Sequence, residues 1–267
     1  RAFAPPEQQT QDTQADDQET PAEESEPQED TDTAANDDVR KCLAVEDNIR
    51  AEGEPMNVYL TFDDGPSKDA TNRILDTLKK YNGRATFFVL GTRVGSYSDE
   101  VKRAYSMGCE IGSHSWSHAN LRKISEQERK QEINKTNAIV KEVIGVEPTL
   151  FRVPYGDYKG IQSDFNLPLI QWSIDTEDWR YKDKPGSGRT QAQRNADMQK
   201  IISSVVDHAT GGEIVLMHDI YEMTADAFER IAAQLSAEGF KFVTVHELYA
   251  IYGKTLEPGV VYFTPKR

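Results

Sequence analysis

The sequence predicts an α/β barrel of about seven parallel strands, preceded by a disordered acidic tail. Three observations carry that expectation. From residue 57 onward, short segments rich in β-branched and aromatic residues alternate with amphipathic helical ones, an order that builds parallel strands with helices outside. The part that can fold is 229 residues long, a length that one (β/α) barrel commonly occupies. Charge also divides the chain: residues 1–38 hold thirteen of the 45 acidic residues and one of the 31 basic ones, a net of −12 out of −14. That stretch is Gln, Glu, Asp, Thr and Pro with almost nothing apolar after Phe3, so it cannot bury enough surface to offset its chain entropy. The expected organisation is a disordered acidic linker over 1–38 and one domain over 39–267.

The strand candidates, in order, are NVYLTF, ATFFVLG, CEIGSHS, TLFRVPY, PLIQWSID, EIVLMHD and KFVTVHEL, each bounded by Gly, Pro or Asp. Between them lie helices with readable ends. SKDATNRILDTLKKYNG places Ile74, Leu75 and Leu78 on one face and stops at Asn82-Gly83. SEQERKQEINKTNAIVKEVIG opens as a capping box, Ser125 with Glu128, and closes at Gly145. QAQRNADMQKIISSVVDHATGG and TADAFERIAAQLSAEGF follow the same grammar. Seven strands leave the barrel one short of the usual eight.

Composition excludes several classes. No run of eighteen apolar residues occurs, so no segment reads as a membrane-spanning helix. The acidic balance disfavours a nucleic-acid partner. The chain begins at Arg1 rather than Met, which is compatible with a signal peptide or membrane anchor upstream, and a long acidic spacer suits a protein held at a surface. Cys42 and Cys109 are the only cysteines and form no C-x-x-C. They could pair, or Cys109 could be a buried thiol, so cysteine usage leaves the compartment open.

In barrels the working residues gather at the carboxyl ends of the strands. Read in order, those ends carry Asp63 and Asp64; His114, Ser115 and His118; Arg152 and Tyr155; Asp175, Asp178 and Trp179; His218 and Asp219. Adjacent aspartates on a pleated strand point to opposite faces, so solvation explains only one of the pair Asp63-Asp64. The H-x-x-x-H of HSWSH brings two imidazoles together if the segment is helical or tightly turned. Two His and one carboxylate make a common catalytic zinc set with open positions for water and substrate. Ligation then divides the aspartates: one coordinates and the other stays free as a base.

The motifs TFDDGPS, HSWSH, RVPYG, DTEDW and VLMHD resemble, in sequence and in order, the five motifs of the polysaccharide deacetylases, carbohydrate esterase family 4. The resemblance covers about 57–249, and its flavour is that of the bacterial peptidoglycan N-acetylglucosamine deacetylases. It implies a distorted (β/α) barrel. It implies one divalent metal, zinc foremost with cobalt or another transition metal as alternatives, held by Asp64, His114 and His118. It makes Asp63 the general base, tethered by Arg152, and gives the backbone N–H of Tyr155 to the oxyanion. His218 becomes the general acid, oriented by Asp178, while Leu216 and Trp179 wall the pocket for the acetyl methyl, with Tyr155 also at the substrate.

Each residue also has a structural reading. Arg152 could be a barrel salt bridge, Trp179 a core aromatic, and His218, which follows the apolar run from Ile214 to Met217, a satisfied core histidine. His208 and His246 fall outside every motif and read as structural. Asp219 and Tyr221 are expected at the rim near His218, and Glu177 adds a charge beside Asp178. The segment KDKPGSGRT from Lys182 to Thr190 reads as a flexible loop at the mouth, and only Trp116 and Trp179 are expected to reach a sugar ring. The leading expectation is a secreted, cell-surface monomer that removes N-acetyl groups from a β-1,4-linked glycan, peptidoglycan or a chitin-like oligosaccharide. The alternatives are an O-deacetylase of acetylated xylan and a glycan-binding module without turnover.

Overall fold

The computed structural model describes residues 56–181 and 188–266. The acidic tail, Cys42 and most of the loop from Lys182 to Thr190 lie outside the described residues. The order of elements is β1 (Asn57–Asp63), α1 (Asp69–Lys80), β2 (Thr86–Val89), α2 (Gly91–Val94), α3 (Ser98–Ser106), β3 (Glu110–Ser113) and α4 (Glu126–Ile144). There follow β4 (Leu169–Ile170), β5 (Ile174–Asp175), α5 (Gln191–Val206), β6 (Ile214–His218), α6 (Glu222–Ala237), β7 (Lys241–Phe242), α7 (Val245–Ile251) and β8 (Val261–Tyr262).

All ladders are parallel. The main sheet runs β3-β2-β1-β6-β5, with β7 joining the first two residues of β1, and β4 pairs with β8. Single bridges, Ser113 to Phe151 and Phe151 to Leu169, carry the curvature from β3 round to β4. This is the expected barrel, unevenly built. TLFRVPY contributes only the Phe151 bridge, and PLIQWSID breaks into β4 and β5. KFVTVHEL keeps two strand residues before Thr244 caps α7, its hydroxyl accepting from the Glu247 N–H. The strand β8 was not anticipated.

Central strand β1 is buried along its whole length, and its two faces do different work. Val58, Leu60 and Phe62 pack outward into a cluster with Ile74, Leu75 and Leu78 of α1 and with Phe228, Ile231 and Leu235 of α6. Phe62 stacks on Phe87 with ring centroids 5.2 Å apart and meets Phe228 edge-on at 5.4 Å. A fully buried Phe stabilises by about 1.5–3 kcal/mol. Asn57, Tyr59, Thr61 and Asp63 alternate with these residues and point to the opposite, inner face. Strand β1 therefore delivers a carboxylate to the inside of the barrel at its carboxyl end.

Outside the sheet, α4 begins with the capping box Ser125/Glu128 and ends at Gly145 in the left-handed conformation, φ 84°. Helix α5 has the same device in Thr190 and Gln193.

Candidate active site

Six residues other than glycine have positive φ among the described residues, and five of them belong to the motif loops: Asp64 (71°), Ser115 (70°), His118 (61°), Tyr155 (62°) and Glu177 (52°). Such backbone costs about 1–3 kcal/mol per residue and persists only where the surroundings hold it. The loops after β1, β3, the Phe151 bridge and β5 are thus bent to converge on one place.

Asp64, His114 and His118 offer ligand atoms that all lie within 4.8 Å of one another. Asp64 Oδ1 is 3.6 Å from His114 Nε2 and 3.4 Å from His118 Nε2. The H-x-x-x-H is a tight turn rather than a helix, and Ser115 Oγ closes it by accepting the His118 N–H at 3.1 Å. His114 donates Nδ1–H to the Arg152 carbonyl at 2.7 Å, which leaves the Nε2 lone pair directed at the cluster. Burial foremost holds its pKa down to about 3, so the ring is neutral. Asp64 Oδ1 is buried and accepts no hydrogen bond. An orphaned carboxylate oxygen facing imidazole nitrogens is what a divalent cation satisfies, so these residues fit a metal.

Asp63 sits behind this cluster on the inner face of β1. Its Oδ1 accepts from Arg152 Nη1 at 2.8 Å, while Oδ2 lies 3.6 Å from His114 Nε2. Arg152 is wholly buried and fully used: Nη1 also donates to Thr61 Oγ1 (2.6 Å), Nε to the Ile170 carbonyl (3.0 Å) and Nη2 to the Gln171 carbonyl (3.1 Å), with Phe88 beneath the guanidinium. Among the protein's own groups, burial foremost pushes the Asp63 pKa up, against Arg152 and His218, which lower it.

On the other side, His218 ends β6, where it donates Nδ1–H to Asp178 Oδ1 at 2.7 Å. Asp178 is buried and accepts three more bonds, from the N–H groups of His218 (2.8 Å) and Trp179 (2.9 Å) and from Thr224 Oγ1 (2.7 Å). Burial alone would lower the His218 pKa, but Asp178, with Asp63 and Asp64 farther off, carries it up to about 9. With Nδ1 held by Asp178, Nε2 is the ring nitrogen left to exchange a proton, and the raised pKa favours the protonated imidazole.

Around the mouth stand Tyr155, 65% exposed and edge-on to His118 with centroids 4.5 Å apart, and Trp179, 41% exposed. Leu216 faces inward two residues before His218. Glu177 pairs with Arg180 at 2.8 Å, not with His218. Tyr221 is half-buried, its ring 6.0 Å from that of His218. One expectation needs correction: Asp219 is buried beneath Gly65, not at the rim. Trp116 is half-buried, with its indole against Gly91. His246 is structural as expected, paired with Glu110, and His208 lies exposed with Nδ1 3.1 Å from the Ser204 carbonyl.

Sequence reasoning missed Thr61 and Thr224. Thr61 lies two residues before Asp63, and period-two alternation alone would have placed it on the same face. No local signal marks Thr224, which meets Asp178 across 46 residues of chain.

The polysaccharide deacetylase family model matches residues 50–162. The chain is 44% identical over 207 residues to the peptidoglycan-N-acetylglucosamine deacetylase PgdA of Listeria monocytogenes, covering 77% of this chain and 41% of that one. It is 40% identical over 192 residues to the peptidoglycan-N-acetylmuramic acid deacetylase PdaC of Bacillus subtilis, covering 72% and 38%. It therefore spans about two fifths of the length of these relatives. Among solved structures it is similar to a family 4 acetyl xylan esterase from Clostridium thermocellum in complex with a cobalt ion, with TM-score 0.68, 30% identity, and 78% and 98% of the two chains covered. With the motif residues assembled at the strand ends and a whole-domain likeness of this degree, the chain belongs to the polysaccharide deacetylase family of hydrolases.

Proposed function

We propose that this chain is a metal-dependent hydrolase that removes N-acetyl groups from N-acetylglucosamine in a β-1,4-linked glycan, peptidoglycan foremost. The observation that carries the reading is the flanking of one three-ligand cluster by an Arg-tethered carboxylate, Asp63, and an Asp-backed imidazolium, His218. A site that only binds sugar has no use for both a base and an acid.

Asp64, His114 and His118 would hold the ion. Their nitrogen and oxygen donors suit zinc, with cobalt as the alternative. Such an ion supplies Lewis acidity toward the acetyl carbonyl and lowers the pKa of water from about 15.7 toward about 7. Asp63 accepts a proton from the attacking water as its oxygen bonds to the acetyl carbon. The Tyr155 backbone N–H donates to the developing oxyanion. His218 passes its Nε2 proton to the amide nitrogen as the C–N bond breaks, and acetate and the free amine leave. Leu216 and Trp179 enclose the acetyl methyl.

The named activities of PgdA and PdaC support peptidoglycan, a substrate that implies an extracellular or cell-surface location. No helix among the described residues is long and apolar enough to cross a membrane. We read the chain as a monomer. The second reading, O-deacetylation of acetylated xylan, is favoured by the likeness to the acetyl xylan esterase. Acetate release from peptidoglycan, chitotetraose and acetylxylan, measured alongside bound metal, decides it. Turnover of acetylxylan alone supports the second reading, and a protein that takes up no divalent metal and releases acetate from none of the three overturns both.

A further inference from the structure

Asp219 is a fully buried carboxyl that the mechanism above does not use, and its surroundings are specific. Thr71 Oγ1, in the first turn of α1, donates to its Oδ2 at 2.5 Å. Its backbone carbonyl accepts from Ser67 Oγ at 2.6 Å, and the Ser67 N–H in turn donates to Thr71 Oγ1 at 2.7 Å. The remaining oxygen, Oδ1, has no hydrogen-bond partner and lies against Gly65. A Cβ on Gly65 would fall 2.1 Å from Oδ1 and 2.2 Å from Oδ2.

Gly65 is not among the residues with positive φ. Glycine is required there because the Asp219 carboxyl occupies the place of a side chain, not because the backbone is left-handed. From above, the Leu90 N–H donates to the Gly65 carbonyl at 3.0 Å and Arg93 Nε to the Pro66 carbonyl at 2.8 Å. The turn that follows Asp64 is thus clamped between the β2–α2 segment and Asp219, the residue next to His218.

We propose that Asp219 is a positioning residue whose buried carboxyl, keyed by Thr71, fills the space under Gly65 and so fixes the Asp64 turn against the strand that carries His218. This rests on the proposed function, because Asp64 matters there as a ligand. What Asp219 supplies is shape and a hydrogen bond. Its isosteric amide should therefore serve, and its removal should let the Asp64 turn relax toward the vacated space.

The test uses the full chain, zinc alone as the ligand, a chromophoric chelator as competitor, and kcat and KM on chitotetraose. Asp219→Ala should weaken zinc affinity about tenfold or more, the range seen when a metal ligand loses its outer support. With zinc saturating, kcat should still fall about tenfold while KM stays within about twofold, since Tyr155 and Trp179 are untouched. Asp219→Asn should restore both values. Gly65→Ala should be as damaging as Asp219→Ala, yet add little to it in the double variant, where the methyl has room. If Asp219→Ala does not fold, Thr71→Val gives the same reading with a smaller loss of zinc affinity. Unchanged zinc affinity and kcat in Asp219→Ala or Thr71→Val, or strict additivity with Gly65→Ala, overturns the inference alone. A wild-type chain that binds neither zinc nor cobalt overturns the proposed function and this inference with it.

Discussion

Asp63 and His218 are register partners across the parallel β1–β6 ladder. Partners in a ladder project to the same face, so the proposed base and acid stand side by side on two adjacent strand ends. Their spacing is set by backbone hydrogen bonds of the sheet and not by a loop.

The two aspartates of the DDG turn should therefore separate cleanly on mutation. Asp63→Asn should keep the metal and lose roughly two to four orders of magnitude in rate, because an amide cannot take the proton from water. Asp64→Asn should weaken metal binding and regain part of its activity in excess metal. A metal titration of acetate release distinguishes them, and rescue of Asp63→Asn instead would reverse the assignments.

The acid limb of the chemistry is readable in pH. His218 has a folded pKa of about 9, above its ordinary 6.5, so its proton is fully present below that ordinary value and lost as pH rises through about 9. The rate kcat/KM should fall along that alkaline limb. In Asp178→Asn the largest charge opposing burial is gone and only the more distant Asp63 and Asp64 still raise the value, so the limb should move to lower pH. An unmoved limb would assign it to another group.

Arg152 should be among the least replaceable residues of the fold. Arg152→Met strands the Asp63 carboxylate in a buried place and strips donors from Thr61 and from the Ile170 and Gln171 carbonyls. Breaking one side of a buried pair costs about 3–5 kcal/mol, visible in urea unfolding. Arg152→Lys should not recover it, because one ammonium cannot reach partners spread around a planar fork.

A second prediction on stability concerns the far end of the barrel, where His246 meets Glu110. Burial would lower the His246 pKa, but Glu110 raises it. Burial would raise that of Glu110, but His246 lowers it. The His246 contribution is complete below its ordinary pKa of 6.5 and is lost as pH rises through the raised value. The Glu110 contribution is complete above its ordinary 4.5 and is lost as pH falls through the lowered value. The difference in unfolding free energy between the wild type and His246→Gln should peak between those two ordinary values and shrink on either side. A flat difference would show the pair to be inert.

The site was more legible in the sequence than the barrel around it. Motif residues sit at strand ends, where a short apolar run followed by a charged or imidazole group is visible locally. Asp63, Asp64, His114, His118, Arg152, Asp178 and His218 all come together on that basis. Strand extent is decided by pairing, which is not local, so PLIQWSID reads as one strand where β4 and β5 form, and nothing local marks β8. KFVTVHEL misled because its β-branched residues conceal the capping pair Thr244 and Glu247, an overlooked local signal. Thr224 and Asp219 act through contacts with residues distant in sequence, which no spacing rule exposes, whereas period-two alternation does put Thr61 on the face of Asp63.

The left-handed loops at the site bear on any effort to make this protein withstand heat. Replacing a strained residue with glycine relieves backbone cost, but at Asp64, His118 and Tyr155 the same change would delete a proposed ligand or a wall of the mouth. Among the described residues, Asn82 at φ 50° is the one strained position of this kind outside the motifs, and asparagine already tolerates that conformation. Thermal hardening must therefore come from the helices and the outer core. Heat resistance and turnover can be selected on different residues, provided that the five bent positions and Asp63, His114, Arg152, Asp178 and His218 are left alone.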